Sequence, residues 1–94
     1  MKGDKRMKEY KSELLAISKA GHDKGTVYVV LEADETYFWL TDGKRRLLEN
    51  PKKKKQMHVQ MIKHLPAEVL EQMQSMTLDA HVRKVLKTYN RSED

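Results

Sequence analysis

Short apolar runs occupy the first two thirds of the chain, and their alternation with polar residues predicts β-strands. The first run covers residues 14–19, and the second, rich in β-branched residues, covers residues 26–32. A third run covers residues 37–41, and a weakly alternating segment at 56–63 is predicted to supply a closing strand. Several short strands joined by turns are typical of a small β-barrel, because closure removes exposed strand edges.

The period of two along these strands predicts which side chains face the core. In the third run we expect Phe38 and Leu40 inside, and Tyr37 and Trp39 on the outer face. The rings of Trp39, Tyr37 and Tyr28 offer stacking surfaces for unpaired bases. For Trp39 the commoner alternative is packing under the C-terminal segment. The second run divides into two faces in the same way: Val27, Val29 and Leu31 against Tyr28 and Val30.

Two turn signals separate the strands. Residues 21–25 hold two glycines and an aspartate, which favour a tight turn. Asp42-Gly43 is a strong hairpin signal, and it predicts a return strand over residues 44–48. Asn50-Pro51 then ends the ladder, because proline lacks the N–H that a central strand donates. Residues 52–55 are four lysines, which are predicted to form a loop facing solvent or a polyanion.

From Pro66 onward the period changes to that of helices. A first helix is predicted with Pro66 in its opening turn, and a second with Thr77 as its N-cap. These helices are expected either to pack on the barrel or to bind a partner. The apolar positions with helical spacing are Val69, Leu70, Met73 and Met76, then Val82, Val85, Leu86 and Tyr89.

With 94 residues, the chain is long enough for one domain with a modest core. We divide it into a flexible leader (1–11), a barrel (12–62) and a C-terminal helical segment (63–91). The sequence has no cysteine, which excludes disulfides and thiolate chemistry. No apolar run approaches the roughly 20 residues of a membrane span, so a cytoplasmic location is the expectation. The predicted class is mainly β with α.

The positive charge is concentrated in one segment. The formal net charge is +5, yet residues 44–55 alone contain seven basic residues and a single acid, Glu49. One basic site on a nearly neutral body predicts a localised polyanionic partner. Arg83, Lys87 and Arg91 form a second, weaker stripe on the last helix, either another phosphate-binding face or simply its solvated side.

A strand, a glycine-containing turn at 21–25 and a second hydrophobic strand resemble the KOW motif, with Gly25 as its glycine. The resemblance continues through Asp42-Gly43-Lys44-Arg45-Arg46 and through the Pro51-led lysine run. The KOW family groups bacterial RNA-binding proteins with certain archaeal and eukaryotic large-subunit ribosomal proteins. The resemblance implies an SH3-like barrel that binds RNA, often ribosomal RNA, through its loops. The helical tail is similar to those of the bacterial members.

The expected function is therefore non-catalytic binding of RNA by a monomer, without cofactor or metal. The alternative is a protein-interaction module in which Val69, Met73 and Met76 present an apolar face to an acidic or helical partner. The residues predicted to contact RNA are His22, Lys24, Lys44, Arg45, Arg46, Lys52, Lys53, Lys54, Lys55 and Trp39. The residues predicted to shape the turns are Gly21, Asp23, Gly25, Asp42 and Gly43.

Overall fold

Five strands and two helices follow one another along residues 14–92, the part of the chain that this computed structural model describes. The predicted leader at 1–11 lies outside the described residues. The class, mainly β with α, is confirmed. A 3-10 turn, Gln56–His58, joins the last two strands. The strands are β1 (Leu15–Ser18), β2 (Val27–Ala33), β3 (Tyr37–Thr41), β4 (Lys52–Lys55) and β5 (Val59–Ile62), and the helices are α1 (Ala67–Met73) and α2 (Asp79–Ser92).

The strands form one antiparallel sheet in the order β4-β3-β2-β1-β5. Within residues 14–92 no backbone ladder joins β4 to β5, so the sheet is not closed as the prediction of a barrel requires. The two edge strands are nevertheless consecutive in the chain. In a flat sheet they would lie roughly 19 Å apart, whereas a 3-10 turn of this length spans roughly 8 Å. The sheet must therefore curl strongly.

Apolar side chains pack on both faces of the curled sheet, as the period of two predicts. The helices cover part of the outer face, where Leu15 and Val29 belong to the same buried cluster as the apolar positions of α1 and α2. The division of β2 into two faces is confirmed, and Phe38 and Leu40 are buried as predicted. The inner cluster consists of Ala16, Tyr28, Val30, Phe38 and Leu40.

The helices therefore pack on the sheet instead of extending away from it. Val69, Met73 and Met76 are completely buried in the outer cluster. The apolar face that the protein-interaction alternative relied on is used within the molecule.

The connection from β3 to β4 differs from the predicted hairpin. Residues 42–51 contain no strand, so the predicted return strand at 44–48 is wrong. The Asp42 carboxylate explains the difference, because its Oδ1 accepts the backbone N–H groups of Lys44, Arg45 and Arg46 at 2.9, 3.0 and 2.9 Å. A side chain that binds three successive amides curls the backbone and competes with strand pairing.

The lysine run is a strand, and its prediction as a loop is wrong. Lys52–Lys55 form β4 and pair with β3 in a regular antiparallel register, from Tyr37 opposite Lys55 to Leu40 opposite Lys52. Pro51 stands just before the strand, where its missing N–H does not interrupt the ladder. Because side chains alternate along a strand, adjacent lysines point to opposite faces, which reduces the repulsion expected of a run.

Helix α2 docks against Gly43. This glycine has φ +76°, and a Cβ placed on it would lie 2.6 Å from the Asp79 carbonyl oxygen and 2.9 Å from Arg83 Cγ. The Arg83 guanidinium donates to the Gly43 carbonyl oxygen at 2.6 Å. The Asp79 carboxylate also accepts the Leu48 N–H at 2.8 Å. Gly43 is therefore required for close approach of the helix as well as for its backbone conformation.

We expect Gly43→Ala to lower the free energy of unfolding by roughly 2–5 kcal/mol, from backbone strain combined with the clash against α2. Gly25→Ala is the matched control, because Gly25 has φ +92° but a Cβ there meets nothing within 4 Å. It should lose only about 1–2 kcal/mol from strain. Urea unfolding followed by circular dichroism measures both, and equal losses would contradict the proposed role of helix docking.

Candidate nucleic-acid interface

The Asp23 carboxylate, in the turn between β1 and β2, is the centre of a polar cluster. Its Oδ1 accepts the Ser18 hydroxyl at 2.8 Å, and its Oδ2 accepts the Tyr28 hydroxyl at 2.7 Å. Two ammonium groups reach it from β4: Lys52 Nζ at 2.9 Å and Lys54 Nζ at 3.3 Å. The side chain of Asp23 is only 14% exposed. The turn and the far edge of the sheet are therefore joined through one carboxylate.

The titration of this cluster follows from its contacts. Burial alone would raise the pKa of Asp23, but hydrogen bonds from Lys52, Tyr28, Ser18 and Lys54 outweigh it and hold that pKa well below its ordinary value. Burial, together with the hydrogen bond to Asp23, raises the pKa of the Tyr28 hydroxyl. Tyr28 is 4% exposed, so its predicted use as a stacking surface is wrong.

Asp23 divides the lysine run into two pairs. Lys52 and Lys54 are partly buried and share the single negative charge of the carboxylate, and Lys54 Nζ also donates to the Ala20 carbonyl oxygen at 3.0 Å. Lys53 and Lys55 are exposed on the opposite face of β4. The prediction that all four lysines face solvent or a polyanion is therefore wrong for Lys52 and Lys54.

Lys53 lies against two aromatic rings on the outer face of the sheet. Its Nζ is 4.2 Å from the centroid of the Tyr37 ring and 5.6 Å from that of Trp39. The two rings are 6.4 Å apart and inclined at 58°. Both are half-buried, and Trp39 belongs to neither core cluster of the described residues, so it does not pack beneath the helices. We call Tyr37, Trp39, Lys53 and Lys55 the aromatic–lysine face.

The β3–β4 connection presents three more cations. The side chains of Lys44, Arg45 and Arg46 are exposed, and within residues 14–92 no carboxylate forms an ion pair with them. The nearby Asp42 carboxylate instead binds backbone amides. Burial would raise the pKa of Asp42, but these hydrogen bonds from the amides of Arg46, Lys44 and Arg45 lower it. The connection is therefore a local source of positive potential.

The turn at 21–25 has the predicted glycine geometry, with φ +90° at Gly21 and +92° at Gly25. His22 and Lys24 are exposed at its tip. The prediction from sequence missed the bridging role of Asp23, which was assigned only to the turn. It offered the Tyr37 ring as a stacking surface but did not include Tyr37 among the residues predicted to contact RNA.

Within the described residues, no cluster of three or more histidine, aspartate or glutamate side chains could hold a metal ion. None of the helices in this part of the chain has the length and apolar character needed to cross a bilayer. No protein-family model matches the sequence, and a search of curated proteins also found no match.

We expect Asp23→Asn to lower the free energy of unfolding at pH 7 by about 2–3 kcal/mol, because two partly buried lysines lose their counter-charge. The low folded-state pKa of Asp23 stabilises the wild type above about pH 4, the ordinary value for aspartate, and this stability is lost as the pH falls toward the folded-state pKa. The variant should therefore show a weaker acid dependence.

Denaturant unfolding between pH 2 and 7 measures both effects. Glu35→Gln is the control, since it removes an exposed carboxylate in the β2–β3 connection. If Asp23→Asn is as stable as the wild type at pH 7, the cluster contributes little to the free energy of unfolding.

Proposed function

We propose that this protein binds RNA without catalysing a reaction, through the aromatic–lysine face and the adjoining β3–β4 connection. The observation that carries the proposal is Lys53 lying over the rings of Tyr37 and Trp39. Aromatic rings interleaved with cations suit an unpaired nucleotide, whose base stacks on a ring while its phosphate meets an ammonium group. Lys44, Arg45 and Arg46 supply further cations on the next segment of the chain.

The interaction free energies favour displacement of the Lys53 ammonium group from the Tyr37 ring by a base. An exposed cation–π contact stabilises by about 0.5–1 kcal/mol, whereas stacking of a base on an aromatic side chain is worth about 1–3 kcal/mol. A base that displaces the Lys53 ammonium group from Tyr37 leaves that group available to a phosphate. The contact seen without RNA thus holds the lysine close to where it is needed.

We propose an SH3-like barrel of the KOW type as the finer description of the fold. Five antiparallel strands in the order β4-β3-β2-β1-β5 support it, as does the 3-10 turn between the two edge strands. The Gly21–Gly25 turn between β1 and β2 matches the position of the KOW turn. Strong curling brings the lysines of β4 into contact with that turn through Asp23.

The RNA that we propose is structured and contains unpaired bases, and the KOW resemblance implies ribosomal RNA. Lysine and arginine side chains on exposed segments contact phosphate and ribose more readily than base edges. Sequence preference should therefore be modest and limited to a base held at Tyr37 or Trp39. His22 and Lys24, at the tip of the first turn, are proposed as additional backbone contacts.

Trp39 is the only tryptophan of the chain, so its fluorescence reports directly on the proposed face. We expect an RNA hairpin with an unpaired loop to quench this fluorescence, and Tyr37→Ala to weaken binding by roughly 5- to 100-fold through loss of stacking. A fully paired RNA duplex is the control and should quench little. Tight binding of the hairpin with unchanged fluorescence would exclude Trp39 from the interface.

Because Lys53 and Lys55 are the lysines of the run that do not bind Asp23, replacing them should change how RNA affinity depends on salt. If four or five phosphates are neutralised, log affinity should fall against log salt with a slope of about −3 to −4. Replacing Lys53 and Lys55 by glutamine should make that slope shallower by roughly 1.4–1.8, because two phosphate contacts are lost. The slope is measured by titrating one RNA at several salt concentrations.

The matched control is Lys63→Gln combined with Lys84→Gln, which removes the same charge from exposed positions outside the proposed face. Its slope should stay close to that of the wild type. Equal slopes in the two double variants would mean that total charge, and not the aromatic–lysine face, governs binding.

A further inference from the structure

A groove lies where the end of the first turn, the β3–β4 connection and helix α2 meet. Its volume is about 740 Å³, within the range of pockets that hold small ligands or parts of larger ones. Gly25 and Thr26 form one wall, Asp42 and Lys44 another, and α2 the third. The hydrogen bond from Arg83 to the Gly43 carbonyl oxygen fixes α2 against the connection, so the groove is held open by tertiary structure.

The groove is electropositive. Lys44, Arg83 and Lys87 line it together with one carboxylate, that of Asp42, which gives a net charge of +2. Asp42 Oδ1 is already surrounded by three backbone amides, which compensate part of its charge. Anions are therefore attracted to this groove more than to the inner face of β4, where Lys52 and Lys54 share the Asp23 carboxylate and a net charge of +1 remains.

The groove also offers polar groups that have no partner inside the described part of the chain. No hydrogen bond or ion pair within residues 14–92 engages the side chains of Lys44, Lys87 or Asn90. Lys87 and Asn90 lie three residues apart and Arg83 and Lys87 four apart on α2, so all three share one helix face. An ammonium group and an amide on one wall, opposite a second ammonium group, suit the oxygens of a phosphate.

We propose that this groove binds a backbone phosphate of the RNA, with Lys44 and Lys87 as its charged contacts and Asn90 as a hydrogen-bond donor. The inference rests on the proposed RNA-binding function. Lys44 belongs both to the β3–β4 connection and to the groove, so an RNA strand that contacts the connection continues into it. The RNA footprint thus extends from the sheet onto the C-terminal helix.

The test compares Lys87→Gln with Lys84→Gln, which removes the same charge from the same helix but does not line the groove. Both positions are exposed, and circular dichroism checks that both variants fold. For the hairpin RNA we expect Lys87→Gln to weaken binding roughly fivefold at 0.1 M salt, and to make the salt slope shallower by about 0.7–0.9, the contribution of one phosphate. Lys84→Gln should match the wild type.

Amide resonances locate the contact independently. In the wild type, the hairpin RNA should shift the amides of Gly25, Thr26 and Asn90, and Lys87→Gln should reduce those shifts. If the wild type binds RNA, and both variants bind it with identical affinity and salt slope, the proposed phosphate site in the groove is overturned. The proposed RNA-binding function would remain intact. Failure of the wild type to bind RNA would overturn both.

A second arm identifies the source of the phosphate. Inorganic phosphate and adenosine monophosphate, each up to 1 mM, should leave these amides nearly unchanged, because one phosphate contact is weak without the rest of the RNA. Saturation by either small molecule, with no competition from RNA, would show a site for a free phosphorylated ligand and overturn the proposal.

Discussion

The contact of one carboxylate with two lysines connects the distant parts of this fold. Asp23 belongs to the first turn, whereas Lys52 and Lys54 belong to the edge strand β4, which is separated from β1 by two other strands. No backbone ladder closes the described sheet, so side chains link its edge to the turn. The same contact determines which lysines remain for a ligand. Stability and the proposed recognition of RNA therefore depend on one electrostatic arrangement, in which two lysines share a carboxylate and two do not bind it.

Features that follow from local periodicity could be predicted from the sequence. The two faces of β2, the burial of Phe38 and Leu40, and the apolar faces of α1 and α2 all depend on side-chain spacing within a single element, although Met76 lies beyond the end of α1. The first turn was predictable for a similar reason, since its glycines adopt positive φ without a steric penalty. In each case the information lies within a few residues.

What the sequence did not predict depends on partners far away along the chain. Four lysines have low strand propensity, and their carboxylate partner lies 29 and 31 residues before Lys52 and Lys54. Asp42-Gly43 suggested a tight hairpin. In the structure the Asp42 carboxylate accepts hydrogen bonds from three following amides, and α2 packs against the Gly43 backbone. For the groove, the sequence indicated only the basic stripe that contains Arg83 and Lys87. Its other walls come from segments about 40 to 60 residues earlier in the chain.

Strand β4 also has a consequence for the behaviour of many copies of this protein in one solution. It is an edge strand, and such strands can recruit the edge of another molecule and start aggregation. Here every residue along that edge is lysine, so a second copy approaching in register would bring like charges together on both faces. The composition that suits an anionic ligand therefore also discourages self-association, and the molecule needs no separate element to cover that edge.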